Sequence, residues 1–554
     1  MLDSSFLRNS LVVVSATMVS AAVLASSVPP PANPFFADSN VPIGHGNSAQ
    51  TDSINVAGPA GPTEIILPQT GDVTYQHLGP GHFGIAISPV YPNGKRAIWS
   101  NGGDRISKLD YDSLTVISEY ALKPSLQTSA EADADIAMLD SLSGSDLAFG
   151  SIPLAAQYLT GLAGVYYLLD SNNTLFVGAS DSIIAYGDVD DAPTDHNSAI
   201  TKTGEWFKPA GIGGTFAGAN LMFDGRICMV TNEGWIVILE RDFSSYKAIQ
   251  LPGGEDAAAH NQMMLDNGVR PGAGDWVRNA PAVDKNGGIY VPSFETMHKV
   301  VWDGTNLSIG EADGAWHAPY SNTSGLGSGA TASLLGYGPD EDHLVVITDG
   351  DTVMNVETFW RGNIPAGWTA PTGALSNRTA GKIRVDMGDP NIAAIQSQQS
   401  VVVGGTGILV VNNEPASIPN GWPAAATTLL VGYAGNDPLF KPSGVQKFNW
   451  DMVNDTLTED WVNSEVSSVN AVPIVSTASD IVYTVGARNG NWTVEAVDWT
   501  TGDSVFTYTT ISARYNTLFS GMNLDQDGRI IHTTAFGIAR YERLPGVTSP
   551  PPGC

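Results

Sequence analysis

A short apolar strand, a turn built from Gly, Asn or Asp, and a second strand ending in an acid or an aromatic recur eight times along this chain. The first strand reads RAIWSNGG, TLFVGASD, RICMVTNEG, GIYVPSFET, HLVVITDGD, SVVVGGTG, DIVYTVGARNG and RIIHTTAFG, starting near Ile98, Leu175, Ile227, Ile289, Leu344, Val401, Ile481 and Ile530. Its partner follows each time, as in WIVILERDF or VEAVDWTTGD. Successive starts lie 77, 52, 62, 55, 57, 80 and 49 residues apart. Four-stranded units at this spacing, a little above the usual ~40 to 50 residues, fit a β-propeller with loop insertions. The expected fold is therefore all-β, a single propeller of eight four-stranded blades, with seven as the alternative count. Sixty glycines and 34 prolines agree with many tight turns.

The ends read differently. Residues 1–25 combine Arg8, an apolar run from Leu11 to Ala25 and a small-residue site at Val23-Leu24-Ala25, the pattern of a signal peptide cleaved near Ala25. Fifteen residues fall short of the ~20 that span a bilayer, so a secreted or periplasmic protein with no membrane span is expected. Residues 26–62 are rich in Pro, Ser, Asn and Gly and read as an extended leader. The propeller domain is expected over 63–546, with a tail at 547–554.

Lys and Arg total 26 against 56 Asp and Glu, a formal charge of −30. Such a surface repels phosphate backbones, which argues against a nucleic-acid partner. Cys228 sits in the apolar run RICMV, as a buried inert thiol does, and Cys554 is the last residue. Two cysteines give no disulfide framework.

The stretch AVDWTTGDSVF, Ala496 to Phe506, resembles the repeat of the quinoprotein-dehydrogenase-like propellers, and VDKNGGIYVPS, Val283 to Ser293, is similar to its other half. That resemblance implies a propeller over roughly residues 64–546 and raises pyrroloquinoline quinone as a cofactor. Members that oxidise alcohols carry adjacent cysteines, and some a C-x-x-C-H haem motif; neither occurs in this chain. No bound cofactor is expected on those grounds, and the quinone least of all. Asp498, Thr501 and Gly502 match the repeat, but their chemistry is that of a turn.

Candidate sites follow from position. The innermost strand of a blade lines the central channel, with side chains alternating along it. Read onto the copies, this places Arg278, Asn279, Asn220, Thr331, Asn391, Asn470 and Ser520 at one channel end, a mainly neutral hydrogen-bonding ring suited to a polar or anionic organic ligand. Glu295, His298 and His317 are candidate acid, base or stacking groups. Asp525 and Asp527 in NLDQDGR are candidate calcium ligands, although the full calcium-loop pattern is absent. Three functions remain open: a non-redox enzyme or binder working in the channel, a binding or assembly scaffold, and a quinone-dependent dehydrogenase.

Overall fold

The computed structural model describes residues 27–61, 65–66, 71–159, 165–189, 195–267, 273–423 and 427–542. The expected signal peptide, the boundary at Thr63, the tail and Cys554 lie outside them. Among the described residues the strands form eight sheets, one for each copy of the repeat. Seven are built in chain order, as in blade 3, where Phe216–Leu221, Ile227–Thr231, Trp235–Leu239 and Tyr246–Gln250 pair antiparallel. The eighth is composite. Its inner three strands, Asn523–Leu524, Ile530–Thr534 and Gly537–Tyr541, come from the end of the chain, and its outer strand, Val73–His77, from near the beginning. The two ends of the propeller are thus closed by five paired positions, Val73 to Tyr541 through His77 to Gly537.

Neighbouring blades pack through large side chains that alternate out of each sheet. Trp360 of blade 5 meets Trp450 of blade 6 edge-on, with ring centroids 5.8 Å apart, and Tyr508 of blade 7 meets Tyr541 of blade 8 at 5.5 Å. Such aromatic pairs add to the area they bury. Cys228 is fully buried in blade 3, where burial pushes its thiol pKa well up and leaves it inert.

The turns explain the recurring acids. Asp170, Asp284 and Asp525 begin the turn after the innermost strand of blades 2, 4 and 8, and each accepts backbone N–H groups from the residues two and four ahead at 2.8 to 3.0 Å. Asp498 accepts the N–H groups of Thr500 and Thr501, and Gly502 closes that turn with φ +79°. A Cβ on Gly502 would lie 2.6 Å from the Trp461 ring of blade 6, so glycine is required there for both conformation and space.

The wide spacings are helical insertions on one face. The 77-residue gap holds helices Ser129–Ser141 and Gly144–Tyr158, the 62-residue gap Gly254–Asn267, and the 80-residue gap Thr427–Ala434. The first helix starts with a capping box: Thr128 accepts the N–H of Glu131, whose carboxylate accepts the N–H of Thr128. Three of these helices, Ser129–Ser141, Gly144–Tyr158 and Thr427–Ala434, pack on blades 7 and 8, with Ile136, Leu147 and Leu430 in the same buried cluster as Trp492 and Phe536.

The segment before residue 63 belongs to the fold. Its carbonyls accept N–H groups from the inner strands in order round the channel: Val41 from Ile87 of blade 1, Pro42 from Leu169 of blade 2, Ser48 from Val283 of blade 4, Ala49 from Leu334 of blade 5, Thr51 from Val403 of blade 6 and Asp52 from Val475 of blade 7. Asn40 adds a bond to the Asp525 carbonyl of blade 8, and Asn220 of blade 3 donates to Ser48. Residues 40–54 therefore form a ring inside the propeller, and Ser53–Ile54 ends it as a parallel strand on blade 7. The inner strands present unpaired N–H groups to the channel, which the backbone of this segment accepts, and its apolar side chains Phe36, Val41, Ile43 and Ile54 are buried in the blade clusters.

Candidate functional site

The ring divides the channel. Above it, towards the helical face, lies a cavity of about 410 Å³ whose floor includes Ile43, Gly44, His45, Gln50 and Asp52. Below it, a second space is lined by Gly46, Asn47, Ser48, Thr51 and Ser53. Gln50 and Asp52 thus face one side and Thr51 and Ser53 the other. Arg278, Asn279, Thr331, Gln398, Gln399 and Ser400 complete the polar part of the upper cavity, and Phe83, Ile85, Phe216, Phe519 and Met522 its apolar part.

His45, Asp52 and Ser400 form the densest polar cluster there. His45 Nδ1 lies 3.0 Å from both carboxylate oxygens of Asp52 and 2.8 Å from Ser400 Oγ, and Ser400 Oγ donates to Asp52 Oδ2 at 2.5 Å. A carboxylate at Nδ1 holds the proton on that nitrogen and leaves Nε2 as the basic one. Nε2 has no hydrogen-bond partner among the described residues. The serine contacts the same nitrogen as the carboxylate, so this is no Ser-His-Asp relay, which needs the hydroxyl at the other nitrogen. His45, Gln50 and Asp52 all have left-handed backbone, with φ of 63°, 56° and 51°. Such conformations cost on the order of 1 kcal/mol each and concentrate at ligand sites.

In the same cavity, Arg278 is half-buried over the Trp276 ring, 6.0 Å from its centroid, and donates to Gln398 Oε1 and to the Leu326 carbonyl. Asn279 donates to the Ala330 carbonyl at 3.0 Å and accepts from the Tyr166 hydroxyl at 3.3 Å. Burial raises the Tyr166 pKa, so its hydroxyl stays a donor.

The channel ring expected from the sequence divides accordingly. Arg278, Asn279 and Thr331 line the cavity. Asn220 is buried as a bracket between the Ser48 and Pro281 carbonyls, and Asn470 as one between Val431, Gly432 and Asn516. Ser520 is buried against Thr533. Asn391 is exposed in a turn remote from the inner strand of blade 6, Val402–Gly404, because the residues leading into that strand are Gln396 to Ser400.

Glu295, His298 and His317 do not line the cavity. Glu295 is exposed in the hairpin turn of blade 4, and His317 on an added edge strand, Trp316–Pro319. His298 is buried with Nε2 2.7 Å from Asp275 Oδ1, and Ser293 Oγ donates to the same oxygen at 2.6 Å. Burial raises the Asp275 pKa, but His298 and the hydrogen bonds from Ser293 and the Gly253 backbone outweigh it and hold it at about 2, so the three side chains form a closed internal cluster that does not reach the cavity. Asp525 and Asp527 bind the Arg529 guanidinium at 2.8 Å each, which places a fixed cation where calcium would sit. Sequence reasoning missed His45, Gln50, Asp52 and Ser400; the hint was GHG, a histidine between glycines in an otherwise featureless leader.

No family model matches the sequence. An uncharacterized protein of Archaeoglobus fulgidus is 29% identical over 528 residues, covering 92% of this chain and 89% of that one. Among solved structures, the C-terminal WD40 domain of Sif2 covers 88% of this chain and 98% of its own at 9% identity and a TM-score of 0.41. BamB from Moraxella catarrhalis covers 66% and 94% at 9% identity and a TM-score of 0.37. At that level of likeness the propeller fold rests on this chain's own strand pairing.

Proposed function

We propose that the protein binds a small polar organic molecule in the upper cavity, with an acidic or acceptor group towards Arg278 and a hydroxyl or amine towards His45 and Asp52. The observation that carries this reading is the ring itself: three residues in costly backbone conformations, His45, Gln50 and Asp52, are set on the floor of a cavity that Arg278 and Asn279 also line. One guanidinium and one carboxylate favour a ligand of mixed polarity over a strongly charged one. A volume of about 410 Å³ suits a small metabolite.

Acid-base catalysis on that ligand is a second reading, favoured by the His45–Asp52 pair and its basic Nε2. A scaffold is less favoured. Its hallmark would be a contiguous apolar rim, whereas Phe207, Leu375, Val453 and Ile511, among the most exposed large apolar residues, lie on separate blades. Kinship to the quinoprotein-like propellers is proposed on the stretches Ala496 to Phe506 and Val283 to Ser293. The cavity does not suit a quinone bearing three carboxylates with calcium. Arg278 is its one Lys or Arg, Asp52 opposes further negative charge, and among the described residues no group of three His, Cys, Asp or Glu could hold a metal ion. Export with cleavage near Ala25 completes the proposal, on the strength of the apolar run from Leu11. In the described residues no helix is long and apolar enough to cross a membrane.

Native mass spectrometry of the purified protein, followed by thermal-shift screening of small polar acids, tests the reading. A retained or stabilising molecule whose affinity drops about tenfold or more in both Arg278→Ala and Arg278→Lys is expected, since lysine keeps the charge but loses the planar fork. Ligands indifferent to both changes would contradict it.

A further inference from the structure

A second cleft lies between blades 4 and 5, apart from the upper cavity. It measures about 220 Å³ and is lined by Lys285, Lys299, Arg361 and His343, with Tyr290 and Tyr337 among its walls. In a chain of net charge −30, cations are expected to find carboxylates, and many here do: Lys108 with Asp188, Lys382 with Asp349 and Glu357, Arg529 with Asp525 and Asp527. Lys285, Lys299 and Arg361 do not. Among the described residues none of them forms an ion pair, and the same holds for Arg378, which lies behind the cleft 4.7 Å above the Trp316 ring.

Neutral groups hold these cations in place. Lys299 Nζ donates to the Arg361 carbonyl at 3.3 Å and sits 5.9 Å from the Tyr290 ring centroid. Arg361 is 6% exposed, lies over the Tyr337 ring at 5.3 Å and donates through Nη2 to the Gly336 carbonyl, while its Nη1 has no hydrogen-bond partner among the described residues. Arg378 Nη1 donates to the Trp360 and Gly362 carbonyls at 2.8 and 2.7 Å. Two carboxylates share the lining and are otherwise engaged: Asp284 accepts the Tyr290 hydroxyl and two turn amides, and Asp313 accepts the Ser308 hydroxyl. Burial lowers the Lys299 pKa; Asp284 offsets part of this, and Arg361 and Arg378 lower it further. A buried guanidinium nitrogen without a partner is costly, and cations held by carbonyls and rings, with Asp284 and Glu311 acting on them without forming an ion pair, leave positive charge only partly compensated.

We propose that this cleft is an anion site, which takes a small oxyanion, a carboxylate or a phosphoryl group, between Lys299 and Arg361 with Lys285 at its mouth. Arg361 offers the planar donor fork and Lys299 a point charge, the combination that recognises such groups. The walls of Phe223, Tyr290, Leu334 and Tyr337 leave room for a short apolar body on a carboxylate.

Isothermal titration of the full chain with inorganic phosphate and, separately, with benzoate tests this and distinguishes the two sources of oxyanion. Saturable binding of at least one probe below about 10 mM is expected. It should weaken about tenfold or more in Lys299→Gln and in Arg361→Gln, the scale of a lost charged hydrogen bond. Should Arg361→Gln fail to fold, Lys299→Gln decides alone. Arg278→Ala, in the upper cavity, should leave this binding unchanged. No saturable binding of either probe, equal binding in Lys299→Gln, or loss in Arg278→Ala would overturn the proposal, the last by placing the anion in the upper cavity.

Discussion

His45 and Asp52 meet at 3.0 Å, Nδ1 to carboxylate, as the two ends of an eight-residue loop in which both adopt left-handed backbone and Asp52 N–H donates to the His45 carbonyl. The loop is thus closed twice, by side chains and by backbone. Asp52→Asn keeps the shape but weakens the charged contacts to His45 and Ser400. A loss of about 1.5 to 3 kcal/mol of stability is expected in urea unfolding, the range for hydrogen bonds to a charged group. His45→Ala should cost less, because Ser400 still donates to Asp52. Equal stability of Asp52→Asn and the parent would mean the cluster does not hold the ring.

Gly502 sits at φ +79° with the Trp461 ring 2.6 Å from where a Cβ would be. Gly502→Ala should therefore destabilise by at least about 1 kcal/mol from left-handed strain alone, with the clash adding to it. Unfolding midpoints at constant denaturant slope are the measurement. An unchanged midpoint would show that the turn can relax away from blade 6.

Glu357 is fully buried in blade 5, accepts from Thr379 at 3.0 Å and pairs with Lys382 at 3.1 Å. Burial outweighs the lysine and pushes its pKa from 4.5 up to about 7. Between those values the folded protein binds more protons than the unfolded chain, so this group lowers stability as pH rises from 4.5 to 7, by on the order of 3 kcal/mol in full. Glu357→Gln removes that slope and leaves Lys382 paired with Asp349. Urea unfolding at half-unit pH steps should show the variant gaining on the parent as pH rises through this window. Parallel curves would place the Glu357 pKa near its ordinary value.

The eight blades and the turn role of Asp498, Thr501 and Gly502 were legible in the sequence because both depend on local chemistry: period-two burial, Asx turns and a glycine at positive φ. Arg278, Asn279 and Thr331 were legible as cavity residues for the same reason, since each stands just before an inner strand. Asn391 was misplaced because the connection into blade 6 is longer than PNIAAIQS suggests, and a strand reading has no means of counting loop residues. Asn220 and Asn470 share the pattern of a lining residue, yet their amides bracket backbone carbonyls of segments distant in sequence. The leader was the largest gap. It is held by main-chain bonds to six blades as well as by Phe36, Val41, Ile43 and Ile54 in their cores, and hydrophobic patterning carries no trace of the main-chain bonds.

The ring is what brings His45 and Asp52 to Arg278, and hydrogen exchange tests it most directly. Exchange followed by mass spectrometry on the intact protein reports the amides of Ile87, Leu169, Val283, Leu334, Val403 and Val475, each donated to a leader carbonyl. All six should exchange as slowly as amides between strands of the same blades, through opening close to global unfolding. A variant lacking residues 27–60 should lose protection at those six positions first. Rapid exchange at these amides in the intact chain, with the rest of each blade protected, would contradict a leader seated in the channel.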